Sequence, residues 1–285
     1  MPLLALPKHA DPEFGTPNRK PLGPVEIDWN NPITRGLVGC YILQDGQIIN
    51  VLNRGGEVTN NGLVKQISPS GFSLKGNGSD AWAQVETQLD PNLDFSCVMG
   101  FEDMGTTGNQ FLCSNGSINS GAHYWGMVVN PSNLDGVFGI EFRVGAVNLL
   151  ARTIDAGADT GFHTGGMTRV GPTSAVLGHA YLDGRNKATE GPESATMQST
   201  SEGSIGSRRR GSSANDDFLS GNVLFRWTWQ RALSDAEHMS IANDAYQVLR
   251  PAVDPSYFFS GVAPAPFNFP LFEAQRSYRK SGRFV

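Results

Sequence analysis

The stretch that decides the fold is Phe218–Pro251, FLSGNVLFRWTWQRALSDAEHMSIANDAYQVLRP. After Gly221 the bulky residues Val223, Phe225, Trp227 and Trp229 alternate with Asn222, Leu224, Arg226, Thr228 and Gln230. A strand turns successive side chains to opposite faces, so this period puts the four bulky residues on one face, over an apolar core. Ser234 and Glu237 form a Ser-x-x-Glu capping box, which starts a helix at Asp235. Met239, Ala242, Tyr246 and Leu249 recur at helical spacing, with Ile241, Ala245 and Val248 beside them, and Pro251 ends the run. The expectation is a core-facing strand that feeds directly into a short helix.

Upstream, short apolar runs predict strands at Leu37–Leu43, Gly62–Ile67, Phe72–Leu74, Trp82–Glu86, Phe95–Glu102, Gln110–Cys113 and Tyr124–Val129. Val137–Val144, Leu149–Thr153, Ala175–Leu182 and Gly221–Gln230 continue the series. In Val137–Val144 the faces separate, with Phe138, Ile140 and Phe142 against Gly139, Glu141 and Arg143. Turn clusters such as Asn60-Asn61-Gly62, Asn77-Gly78-Ser79-Asp80 and Asp183-Gly184 lie between them. Many short strands at this spacing, with no βαβ alternation, predict a two-sheet antiparallel sandwich. Residues 186–217 are rich in Ser, Thr and Gly and read as a long mobile loop around one short strand.

Composition agrees. The chain has 285 residues with 34 Gly and 17 Pro but only 17% charged residues, as suits a turn-rich β protein. A net charge of -5 argues against general nucleic-acid binding. The start lacks the pattern of an export leader, so a Sec-exported monomer is not expected, and no apolar run reaches membrane-spanning length. The three cysteines, Cys40, Cys97 and Cys113, are odd in number and not in metal spacing. Cys97 stands in register with Phe95, Met99 and Phe101, which reads as a small core residue rather than a redox centre.

The two ends differ from the body. Residues 1–32 carry seven prolines, Pro2 to Pro32, and read as an extended polyproline-like arm that opens with Leu3, Leu4 and Leu6. The folded body is expected over 33–251. Residues 252–285 hold Phe258, Phe259, Phe267, Phe269, Phe272 and Tyr278 without order, then turn basic through Arg279, Lys280 and Arg283. Such a tail cannot offset its ordering entropy by folding on itself, so it is expected to lie on another surface. These residues of both arms are the expected partner contacts.

Several motifs resemble one family. Gly221, Trp229, Arg231, Ala232, Leu233, Ser234 and Glu237 resemble the closing strand and helix of LamG-like domains, in the concanavalin A-like lectin/glucanase superfamily. Tyr181-Leu182-Asp183-Gly184 resembles the family's Y-x-D-G hairpin, and Ile205-Gly206-Ser207 the strand after it. Phe162-His163-Thr164 stands where the family has a Trp-His pair, and Arg35 to Tyr41 is similar to the first strand of LamG-like proteins from tailed phages. The resemblance covers roughly 33–251. It implies an all-β, concanavalin A-like jelly-roll sandwich with one short C-terminal helix. It also implies a non-enzymatic bacteriophage virion protein assembled in the host cytoplasm. The expected role is a capsid decoration or cement protein, in a homo-oligomer or symmetric array, whose arms contact the major capsid protein or other virion subunits. The alternative is a carbohydrate-binding receptor or adhesion module of a phage tail or fibre, contacting a surface glycan. Neither reading involves nucleic acid or membrane.

Glucanases of this superfamily carry Glu-x-Asp-x-x-Glu on one strand face, and hydrolysis needs two carboxylates about 5–9.5 Å apart. Here Glu141 stands alone in its strand, Glu102 and Asp103 face opposite ways, and Glu86 ends a strand, so no catalytic residue is expected. No metal site is assigned. Calcium is a candidate through Asn77/Asp80, Asn133/Asp135 and Asn215/Asp216/Asp217, although the same residues are ordinary turn formers. Trp82, Trp125, Tyr124 and Tyr181 are candidate sugar-stacking aromatics, with the core as their other home. The run Arg208-Arg209-Arg210 reads as solvated or as facing an acidic neighbour.

Overall fold

The computed structural model describes residues 20–21, 24–44, 47–52, 58–68, 70–86, 88–102, 108–117, 123–130, 137–144, 147–152, 161–194, 196–197, 202–210 and 214–252. Two antiparallel sheets dominate it. The first runs β15 (Asn186–Glu193), β14 (Val176–Leu182), β13 (His163–Val170), β8 (Phe95–Glu102), β19 (Asn222–Trp229), β2 (Leu37–Gln44), β3 (Gln47–Asn50). The hairpin of β5 (Val64–Ser68) and β6 (Gly71–Lys75) joins it at the start of β19. The second sheet runs β12 (Val147–Arg152), β11 (Phe138–Val144), β10 (His123–Val129), β9 (Gln110–Ser117), β16 (Glu202–Ile205), β7 (Trp82–Glu86), β4 (Thr59–Asn61). Two ribbons complete the list, β1 (Val25–Ile27) with β20 (Leu249–Pro251), and β17 (Arg208–Arg210) with β18 (Ala214–Asp216). This is a lectin-like jelly-roll sandwich with one short helix, α1 (Asp235–Asn243).

The main core lies between the sheets. Phe95, Met99, Phe101, Met167 and Leu182 of the first meet Val85, Trp125, Met127, Phe138, Ile140 and Phe142 of the second. Strand β19 is central, as expected, but its faces are divided differently. The pairing with β8 shifts register between Val223 and Phe225. A bulge of this kind re-aims every later side chain. Val223 therefore points into the sandwich, while Phe225, Trp227 and Trp229 point outward into a second apolar cluster. Trp227 and Trp229 are fully buried there, with Cys40, Ile42 and Val98 beneath and Leu233, Ile241, Tyr246 and Val248 above. Each indole N–H is satisfied, Trp227 by Ala245 O at 2.9 Å and Trp229 by Ile33 O at 2.7 Å. Arg226 and Thr228 consequently face the sandwich interior.

The capping box forms as predicted, with Glu237 N–H donating to Ser234 Oγ and Ser234 N–H donating to Glu237 Oε2 at 2.8 Å. The helix stops at Asn243 rather than at Pro251. Leu249 is drawn out to pair with Ile27, so Tyr246 and Leu249 are buried from a turn and a strand. Within α1 the buried residues are His238 and Ile241 instead of Met239 and Ala242.

Strand β13, HTGGMTRV, has no alternation to betray it, yet it is central. Its glycines make room for partners on both faces. A Cβ on Gly165 would stand 2.5 Å from the Phe138 ring, and one on Gly166 2.7 Å from His238 Nδ1. Residues 186–217, expected to form a loop with one strand, carry β15 to β18.

The expected arm over 1–32 is described only from Lys20. Val25–Ile27 is a strand of the body, and Lys20 is 2% exposed. The Lys20 ammonium donates to Phe72 O at 2.9 Å, to Leu224 O at 2.8 Å and to Leu43 O. Proline density alone did not reveal this anchor, because the carbonyls that hold it come from three distant strands.

Candidate functional site

The clearest concavity of polar character lies at the end of the sandwich where β19 begins. It is a cleft of about 610 Å³ lined by Asn77, Gly78, Gly108, Asn109, Gln110, Asp217, Phe218 and Ser220. Three chain segments build it, namely the turn after β6, the entry to β9 and the loop before β19. Gly76 is required there because a Cβ would meet Leu219 O at 2.2 Å, and Gly78 adopts φ +75°. Asn77 Oδ1 accepts from the N–H groups of Ser79, Asp80 and Ala81, and its amide donates to Asp80 Oδ1 at 2.6 Å. Ser220 N–H donates to Gln110 Oε1 at 2.8 Å, and Phe111 N–H to Asp217 O at 3.0 Å. The walls are thus fixed before any ligand arrives, which lowers the ordering cost of binding.

The floor is braced by Arg208. Its guanidinium meets Asp216 at 2.8 and 3.0 Å and Asp217 at 2.6 Å, and lies 5.4 Å over the Phe111 ring and 5.8 Å over Tyr124. Burial lowers the Arg208 pKa, but the two aspartates outweigh it and hold the group well above its usual range. The first arginine of the basic run is therefore neither solvated nor a contact for another molecule, since its acids stand in its own hairpin. Tyr124 is pushed up to about 12 by burial and by the nearby negative charge of Glu141.

A second cleft, about 550 Å³, lies among Asn92, Leu93, Asp94, Gly171, Pro172, Gln230, Arg231 and Ala232. It sits where β19 ends, about 25 Å along the strand from the first. Its polar groups staple loops together. Gln230 Oε1 accepts from Asp90 N–H, Gln230 Nε2 donates to Asp90 O and Asp94 O, and Asp94 Oδ1 accepts from Gly171 N–H. Exposed Leu93 is its main offering.

The remaining sequence candidates are placed as follows. Asn77, Asp80, Asp216 and Asp217 spend oxygens on the Asn77 turn and on Arg208, and among the described residues no group of His, Cys, Asp and Glu is arranged to hold a metal ion. Asn133 and Asp135 lie outside the described residues. Trp125, Tyr124 and Tyr181 are core residues, and Trp82 is half-buried. Glu102 follows inward-facing Phe101 and so lies on the outer side of the first sheet. Glu141, between inward Ile140 and Phe142, lies on the outer side of the second. With sheets about 10 Å apart and both carboxylates on outer faces, they cannot bracket one glycosidic bond. The arm contacts Leu3, Leu4, Leu6, Phe258, Phe259, Phe267, Phe269, Phe272, Tyr278, Arg279, Lys280 and Arg283 all lie outside the described residues. Phe218, Asn109 and Gln110 were not singled out by sequence. The turn signal at Asn77-Gly78 and the oxygen-ligand candidate Asp217 were the sequence marks of this end of the fold.

No protein-family model and no curated protein matches this chain. Among solved structures it is similar to the binding domain of botulinum neurotoxin DC in complex with SialylT, with TM-score 0.56 and 11% identity over 74% of this chain and 52% of that one. It is similar to the same toxin's binding domain in complex with rat synaptotagmin II, with TM-score 0.56 and 10% identity over 74% and 52%. The binding domain of Paraclostridial Mosquitocidal Protein 1 gives TM-score 0.57 and 12% identity over 75% and 53%. The chain spans about half the length of these proteins. At such identity the likeness establishes the lectin-like β-sandwich fold.

Proposed function

We propose that this chain is a non-catalytic binding module of LamG-like type that recognises a surface glycan, carried on a phage tail or fibre. The observation that supports it is the cleft of Asn77, Asn109, Gln110, Asp217, Phe218 and Ser220. Amides pair with vicinal hydroxyls, and an aromatic ring offers its face to the C–H side of a sugar. A rigid scaffold carrying its binding groups on loops at one end is the usual arrangement for recognition. The structural neighbours are binding domains rather than catalytic ones, which favours the same class.

The capsid decoration reading rests on the arms and comes second. Its structural support is Lys20, which ties the root of the N-terminal arm to the body. One experiment separates the two. Labelled full-length protein is applied to a glycan array, and hits are titrated against wild type, Phe218→Ala and Asn109→Ala. Glycan binding weakened at least about tenfold by either variant is the expected result. If no glycan binds, or both variants bind like wild type, the cleft is not the site. Co-sedimentation with phage heads in that case would give preference to the arms.

A further inference from the structure

Charge is distributed unevenly around the cleft that supports the glycan reading. Three carboxylates belong to the segments that build it. Asp217 is part of the lining, Asp216 precedes it, and Asp80 closes the turn that Asn77 begins. Asp80 is exposed and takes its hydrogen bonds from neutral groups, the Asn77 amide at 2.6 Å and the Ser79 hydroxyl at 3.3 Å.

Against these three stands one guanidinium, Arg208, and its placement is one-sided. It meets Asp216 at 2.8 and 3.0 Å and Asp217 at 2.6 Å. Its side chain is only 9% exposed, whereas those of Asp216 and Asp217 are 37% and 24% exposed. The cation thus sits inward, over Phe111 and Tyr124, and the carboxylates lie on its solvent side. The other basic residues of these segments turn away. Lys75 follows inward-facing Leu74 on β6, so it points to the outer side of the first sheet. Arg209 and Arg210 continue β17 toward the tip of its hairpin, opposite Asn215 and Ala214 and progressively farther from Asp217. Among the described residues, a molecule entering the cleft meets carboxylate oxygens and neutral groups.

An acidic substituent on a sugar would bring another negative charge to this wall with no cation placed to receive it. Like charges brought together in a partly desolvated site weaken binding, and such a mismatch is how a site rejects an otherwise similar ligand. An uncharged sugar needs only the neutral lining of Asn109, Gln110, Phe218 and Ser220.

We propose that the cleft selects uncharged glycans and rejects those carrying a carboxylate or a sulfate, with Asp217 the specificity-determining residue. This inference rests on the glycan reading and narrows it to a ligand class.

Matched pairs of glycans supply the test. Each uncharged oligosaccharide is compared with the same oligosaccharide capped by glucuronic acid, and with its sulfate ester, by titration against the full-length protein. At about 0.05 M salt the acidic members should bind at least about tenfold more weakly than their neutral partners. Raising the salt to about 0.5 M screens the repulsion, so the ratio should shrink, whereas a steric clash with the added group would leave it unchanged. Asp217→Asn, checked for folding by circular dichroism, should also shrink the ratio at low salt. Equal or tighter binding of the acidic members would overturn the selectivity and leave the glycan reading standing. So would a ratio that ignores salt, or a folded Asp217→Asn that keeps the wild-type ratio. Binding of neither class would overturn both. The salt series on the wild type decides the matter even if the variant does not fold.

Discussion

Arg208 and Arg226 are both buried arginines stacked on aromatic rings, yet they are held in different ways. Arg208 lies on the outer face of the second sheet with two aspartates of its own hairpin within 3.0 Å. Arg226 lies between the sheets, where its guanidinium donates to Ser204 O at 3.4 Å and stands 5.6 Å over the Trp125 ring. The first is a local arrangement that ten residues of chain can build. The second exists only after strands from both sheets have met. A third arginine, Arg231, extends the series to the surface, where it grips Glu237 at 2.6 and 3.0 Å with the side chain one quarter exposed.

The largest effect is expected where a buried charge loses its partners. Asp216→Asn with Asp217→Asn leaves Arg208 over Phe111 and Tyr124 without a carboxylate. Urea unfolding should show a loss of about 3–5 kcal/mol. A loss below about 1 kcal/mol would mean that solvent already neutralises this arginine.

Arg226→Met should behave in the opposite sense. Replacing a buried charge by an apolar side chain of similar length removes the desolvation cost, so stability should hold or rise by up to about 1–4 kcal/mol. Urea titration under reducing conditions measures it. Marked destabilisation would show that Ser204 O and the Trp125 ring compensate this guanidinium as fully as the aspartates compensate Arg208.

The smallest effect concerns Glu237. The hydrogen bonds from Arg231, opposed by partial burial, bring its carboxyl down to about 2 from an ordinary 4.5. The folded value lies below the unfolded one, so the stabilisation is complete above about pH 4.5 and is lost as pH falls toward 2. Glu237→Gln should flatten the fall in melting temperature over this window. An unchanged slope would place the acid sensitivity elsewhere.

Legibility in the sequence followed the range of the interactions. The strands Trp82–Glu86 and Phe95–Glu102 and the capping box at Ser234 were readable because each is fixed by neighbours in the chain. Strand β13 was not, since its glycines answer to Phe138 and His238 from distant elements. The cleft was only half legible. Asn77-Gly78 announced a turn, but nothing local said that Asn109 and Phe218 would close on it. The arm residues that carried the first functional expectation lie outside the described residues, which leaves the cleft as the site argued from geometry.

The sequence by itself determined the class of fold, the helix start and the central place of Asn222–Trp229, because period and capping are properties of adjacent residues. Only the tertiary structure decided which face of that strand is the interior. Alternation defines two faces without saying which covers the core, and a one-residue bulge after Val223 exchanges them. The tryptophans therefore went under the helix, and Arg226 was carried between the sheets, to meet Ser204 O and the Trp125 ring.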